Sequence, residues 1–225
     1  MSRNLINVII GLFAVVVFGM AGCGGGGEST ATQPPASAKV FNLSKYTTLA
    51  AGPVISFNLT GTDTAGASYT GSLSETVDGP VVFETINTIK KRALLTLNKT
   101  GVGNILDSVA TAYFKQSDSS LYKIVYNSGV TAVPTVYNAF PATVRIGDSG
   151  AGSTLSYSNG VITTGTWQIQ DGGNGLAKVI MISNSNAGLS EQDSVFINAV
   201  GDIISVELKI YNYPTSGVTT TLTAS

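Results

Sequence analysis

The sequence predicts an all-β domain, either a single antiparallel, strongly curved sheet or a partly closed barrel, with a β-sandwich as the alternative. Three observations predict it. Apolar and polar residues alternate with period two along much of the chain. Turn dipeptides punctuate the alternating runs. Charged residues make up only 11% of the 225, so the surface is dressed with Ser, Thr, Asn and Gly, not with the Glu, Lys and Arg that usually cover helices.

The elements follow in order. Ile55-Ser56-Phe57-Asn58-Leu59-Thr60 places its apolar residues on one face. Tyr69, Leu73 and Val77 share a face across small or polar neighbours, and Val81 to Ile86 is β-branched and aromatic. Ala93, Leu95 and Leu97 alternate with Leu94, Thr96 and Asn98. Val102, Ile105, Leu106, Val109, Ala112 and Tyr113 follow helical spacing, yet Val109, Thr111 and Tyr113 alternate, and Gly101 and Gly103 discourage a helix start. A strand over Val109–Phe114 is the favoured reading, with a helix as the alternative. Leu121–Tyr126 and Pro141–Ile146 are further strands.

Three hairpins close the sequence. Thr154–Tyr157 and Val161–Gln170 flank Ser158-Asn159-Gly160, where Asn-Gly supplies positive φ. Val161–Gln170 and Leu176–Ser183 flank Asp171 to Gly175, and Ser194–Ala199 and Ile203–Tyr211 flank Gly201-Asp202. Short connections join antiparallel neighbours, and about eleven to thirteen strands are expected. No repeat of fixed period argues for a propeller or a β-helix.

The N-terminus has a different character. Arg3 is the only charged side chain before Glu28, and Leu5 to Ala21 is almost wholly apolar. A basic start, a short apolar run and small residues at its end form a secretory signal. Met20-Ala21-Gly22-Cys23 then resembles the bacterial lipobox, with Met where Leu is commoner. The resemblance implies diacylglycerol on the Cys23 sulfur, cleavage before Cys23 and acylation of the new terminus. It divides the chain into a signal peptide over 1–22, a lipidated Cys23 with a flexible linker over 23–38, and a single β-rich domain over 39–225. An ordinary cleaved signal or a retained membrane helix are the competing readings; the run is just long enough to span. The lone cysteine favours lipidation, because a disulfide framework needs two. Gly24 follows Cys23 where inner-membrane retention often uses Asp, so the outer membrane of the bacterial envelope is the expected address. The four glycines at 24–27 and the Pro34-Pro35 pair read as a tether with nothing to bury.

Removing Arg3 with the signal leaves eleven basic against thirteen acidic residues, so no broad positive field exists and nucleic acid is not an expected partner. Gly147-Asp148-Ser149-Gly150 looks like the nucleophile segment of chymotrypsin-like proteases, but Ala151 replaces the following glycine and the chain has no histidine. That triad needs an imidazole to take the serine proton, so the segment reads as a turn. Zinc lacks its usual ligands. Calcium chemistry could start only at Asp171 or at Glu191 and Asp193, and neither segment carries an EF-hand or nonapeptide pattern. No catalytic residue, no metal site and no cofactor are therefore expected.

Lys90-Lys91-Arg92, the one basic cluster, reads as a solvated turn or charged edge strand, with contact to anionic headgroups as the alternative. Tyr113, Tyr122, Tyr126, Tyr137, Phe140, Tyr157 and Trp167 crowd the middle of the domain and read as core before they read as a stacking or lipid-lining set. Tyr211 and Tyr213 are expected to close the last hairpin.

In outline, a lipobox followed by a β-meander resembles envelope lipoproteins that cradle lipid on a concave sheet, and no functional residue carries over. The expected function is a non-enzymatic envelope lipoprotein that binds a small apolar ligand or an envelope protein on a curved β-surface. An adhesin-like or structural subunit is the alternative, and a hydrolase working through carboxylates comes third.

Overall fold

Alternation becomes architecture because successive side chains on a strand point to opposite faces. In the computed structural model, which describes residues 39–45, 47–212 and 217–224, the described chain forms fourteen strands. They are β1 (Val40–Asn42), β2 (Gly52–Asp63), β3 (Ser68–Phe83), β4 (Ile86–Lys99), β5 (Gly103–Lys115), β6 (Leu121–Tyr126), β7 (Thr131–Val136), β8 (Thr143–Arg145), β9 (Ser149–Tyr157), β10 (Ile162–Gly173), β11 (Leu176–Ser185), β12 (Ser190–Ile197), β13 (Ile203–Asn212) and β14 (Val218–Ala224). Cys23, the lipobox and the linker lie outside the described residues, as does Tyr213.

Twelve of these strands close into one antiparallel barrel, in the order β10-β11-β12-β13-β14-β2-β3-β4-β5-β6-β7-β9. The predicted curved sheet thus curls until it meets itself. The meander runs through neighbours except at two places. β7 pairs β9 because β8 leaves the wall, and β14 returns to pair β2, with Thr220 against Asp63 and Thr223 against Thr60. Closure removes the open edges that would recruit other strands.

Gly61 permits this seam. A Cβ at that position would sit 1.9 Å from the carbonyl oxygen of Thr221, so only hydrogen fits between the two strands. A similar close approach occurs at Gly150, where a Cβ would meet the Trp167 ring at 2.7 Å.

The predicted faces hold. Ile55, Leu59, Tyr69, Leu73, Val77, Ala93, Leu95 and Leu97 are buried on the inner wall. The outer wall carries Ser56, Asn58, Thr60 and Thr62 on β2, and Thr70, Ser72, Ser74 and Thr76 on β3. A barrel that faces lipid has the opposite pattern, with an apolar band outside. The Val102–Phe114 stretch resolves as strand from Gly103, with Val102 in the preceding turn: β5 buries Leu106, Ala110, Ala112 and Phe114 on one side. Its helical spacing mixes residues from both faces and has no structural meaning.

Several expectations are corrected. Val81–Ile86 is not one strand but the tip of the β3–β4 hairpin, turning at Glu84 (φ 48°) and Thr85 (φ 70°). The strand expected over Pro141–Ile146 is the three-residue β8, and the one expected over Ser194–Ala199 is β12, starting at Ser190. Lys90-Lys91-Arg92 lies in mid-strand between β3 and β5, so it is neither a turn nor an edge. Period two sends Lys91 inward and turns Lys90 and Arg92 out to Asp78.

The loops alternate between two rims, as a meander requires. One rim is capped. β1 pairs β8 there, and Phe41, Leu43, Phe140 and Val144 are buried in the common core. The cap is tied to the neighbouring hairpins: the Lys39 ammonium donates to the Gly175 carbonyl at 2.7 Å, Asn42 N–H to the Ala199 carbonyl at 3.3 Å, and Lys45 pairs with Asp202. Among the described residues, the opposite rim carries turns around Gly66, Gly101, Gly129, Gly160 and Gly188. Its turn residues are Thr, Ser, Asn, Ala, Gly and Val, with no charge between 64 and 66, 100 and 102, 127 and 129, 158 and 160, or 186 and 188.

Candidate functional site: charged groups inside the barrel

Inward alternation carries charge into the core at two places. The first is on β3 and β4. Glu75 and Lys91 are both fully buried and form an ion pair. Room for them comes from alanines across the wall: Glu75, Ala93, Ala110 and Tyr126 lie in one lateral row, and Val77, Lys91, Ala112, Ile124, Ala132 and Tyr157 in the next. Burial pushes the Lys91 ammonium down to about 7, while the touching Glu75 carboxylate opposes that shift.

The second place is β12. Glu191 and Asp193 are two residues apart, so both point inward, and they are only 1% and 4% exposed. Their cross-strand partners on β11 are Ser183 and Met181, and on β13 Ile210 and Leu208. All four carboxylate oxygens are buried without a hydrogen-bond donor, and so is the Ser183 hydroxyl. Among the described residues, no Lys or Arg forms an ion pair with either acid. Burial pushes both carboxyls well above the usual range, and the Asp193 charge raises Glu191 further. Glu191 in turn acts on Tyr157, whose hydroxyl burial already drives upward.

Other sequence-predicted groups separate. Tyr126, Tyr157 and Phe140 are core residues, with the Tyr126 and Tyr157 rings 6.2 Å apart. Phe140 packs on Trp167 with centroids 4.7 Å apart, beneath the cap. Tyr113 and Tyr122 instead stand on the outer wall beside Phe83, which stacks on Tyr113 at 3.7 Å. The Gly147–Gly150 motif is the expected turn: the Asp148 carboxylate accepts the Arg145 N–H at 2.7 Å. Asp171 likewise accepts the Gly173 N–H at 2.9 Å, which is ordinary hairpin chemistry.

Sequence reasoning underrated Lys91, Glu75, Glu191 and Asp193. The signal was parity: Lys91 shares its face with Ala93, Leu95 and Leu97, and Glu191 and Asp193 share theirs with Val195 and Ile197. No protein-family model matches this chain, and no curated protein matches it.

Proposed function

We propose that the chain is a lipid-anchored, non-enzymatic barrel of the bacterial cell envelope that meets an envelope protein through the rim opposite its cap. The observation that carries this reading is the direction of entry. The chain reaches the barrel at Lys39, on the capped rim, so a lipidated Cys23 would tether that end to the membrane. The opposite rim, whose described turns are uncharged apart from the Asp63–Lys99 pair that flanks two of them, would then face away from it. Charged groups such as Lys39, Lys45, Glu84, Asp118, Asp171 and Asp202 gather at the capped end. The outer membrane is the favoured address.

A protein partner is preferred to a small apolar ligand because the concave face is the barrel interior, and the core cluster occupies it from Phe41 to Leu222. A carboxylate hydrolase would need Glu191 and Asp193 to reach a glycan together, and both are enclosed.

The test is site-specific photo-crosslinking in intact cells, with the probe at Asn159 or Asn186 on the uncapped rim and at Asp171 as the control. A discrete adduct from the rim positions alone supports the reading. Adducts from Asp171 alone would overturn it, and acyl lipid recovered with the purified protein would favour the apolar-ligand reading. Cys23→Ala is expected to abolish acyl labelling and shift the protein out of the membrane fraction. Two acyl chains make a stable anchor, at about 0.8 kcal/mol per buried CH₂.

A further inference from the structure

We infer that Glu191, Asp193 and Ser183 form an internal site for a hard divalent cation of the Ca²⁺ class, held inside the barrel beneath the uncapped rim. Three observations support it. Two carboxylates face the same interior space with no counter-charge on them, whereas the other buried carboxylates on the barrel wall are partnered, Glu75 by Lys91 and Asp63 by the Tyr69 hydroxyl and Lys99. Ser183, on the strand beside them and opposite Glu191 in register, aims a hydroxyl into the same space, and that hydroxyl is fully buried and unpartnered. All the donors are oxygens, which selects a hard cation over zinc or copper.

The energetic logic is that of a buried charge. A lone carboxylate in an apolar wall neutralises itself by taking a proton or finds a cation. Met181, Leu208 and Ile210 flank the pair and offer it nothing, so the pair is a sink for positive charge. Two bidentate carboxylates and a hydroxyl give a cation up to five oxygens, and water can complete the shell. The site lies just past the 186–188 turn, close to the rim, so an ion enters by local opening there or is taken up as the barrel closes. This departs from the expectation that the chain carries no metal site, and it does not depend on the partner reading above.

The full-length protein in detergent decides the question. It is unfolded in denaturant with a chelator and refolded near neutral pH with Ca²⁺, with Mg²⁺ or with chelator alone. Each sample is then melted by circular dichroism and weighed by native mass spectrometry. Concentrations up to about 5 mM cover the range of extracellular calcium modules. The expected result is one bound Ca²⁺ per chain and a higher melting temperature. Both should vanish in the Glu191→Gln/Asp193→Asn double variant, and Ser183→Ala should weaken binding about tenfold. Both variants remove buried charge or a buried hydroxyl without adding bulk, and the wild-type measurement stands even if one fails to fold. No Ca²⁺ adduct and no shift in wild type whose strand signal is intact would overturn the site. An equal shift in the double variant would overturn it too.

Discussion

Lys91 and Glu75 hold opposite charges at fully buried positions. Their attraction is set against the desolvation of both, so the pair adds little stability in itself, while losing one partner strands the other. Lys91→Met or Glu75→Gln alone is expected to cost about 3–5 kcal/mol in denaturant melts. The double variant Glu75→Leu/Lys91→Met should recover most of that loss. Glu191 and Asp193 predict a pH dependence. Their folded values lie above their unfolded ones, so between the two the folded chain binds more protons than the unfolded chain. In metal-free protein the contribution of this pair is therefore fully present below the unfolded carboxylate range and is lost as pH rises, opposite in sign to that of the carboxylates held down by partners, such as Asp78 and Glu84. The slope is about 1.4 kcal/mol per pH unit for each proton. The amide double variant should flatten it, as read by urea midpoints between about pH 5 and 8 in chelator. The sequence contained the signal for both clusters, but charge masked it. Three basic residues in a row resemble a solvated stretch, and only the parity of Lys91 with Ala93 and Leu95 marks it as interior.

Strands of eight or more residues were legible because alternation repeats often enough to declare a face. Thus β2, β4 and β10 appear in the sequence close to where they stand in the barrel, and the Asn159-Gly160 and Gly201-Asp202 turns mark the β9–β10 and β12–β13 hairpins. β1 is three residues, too short for a period to show, and β8, also three, stands inside the longer strand expected over Pro141–Ile146. The β3–β4 turn was missed because Glu84 and Thr85 are poor residues for positive φ, so nothing in that stretch looks like a turn. Thr85, β-branched at φ 70°, carries strain there. Thr85→Gly is expected to stabilise the protein by about 1 kcal/mol, strain relief outweighing the entropy glycine adds to the unfolded chain. Thermal melts of the variant and the parent check it. Glu84 keeps its bond to Lys123 (2.7 Å) in either case.

At the scale of the molecule, closure was the illegible part. A pairing between Thr60 and Thr223 leaves no local trace, because either strand reads the same with or without its partner. The cap was hidden for a similar reason, since Phe41 and Val144 meet across about a hundred residues. Phe41 is 1% exposed, and Phe41→Ala is expected to cost about 3–5 kcal/mol in denaturant melts by opening a hole at the capped rim. Gly61→Val tests the seam. The added branch would drive into the β14 backbone, and the expected outcome is a loss at or above the top of the usual 1–3 kcal/mol range for overpacking. The matching observation is faster amide exchange in β14 and β2 than in the β3–β4 ladder.

The seam also makes assembly a matter of timing. Most wall strands find a partner within a hairpin of themselves, but β2, made early, must wait for β14, made last. Until residues 218–224 arrive, the growing wall has a bare ladder of N–H and C=O groups along β2 and another along β13. A chain stalled or clipped only a few residues short would keep nearly all of its core and still present two adhesive edges. For such a fold, the integrity of β14 separates a solitary particle from a seed for sheet-to-sheet association.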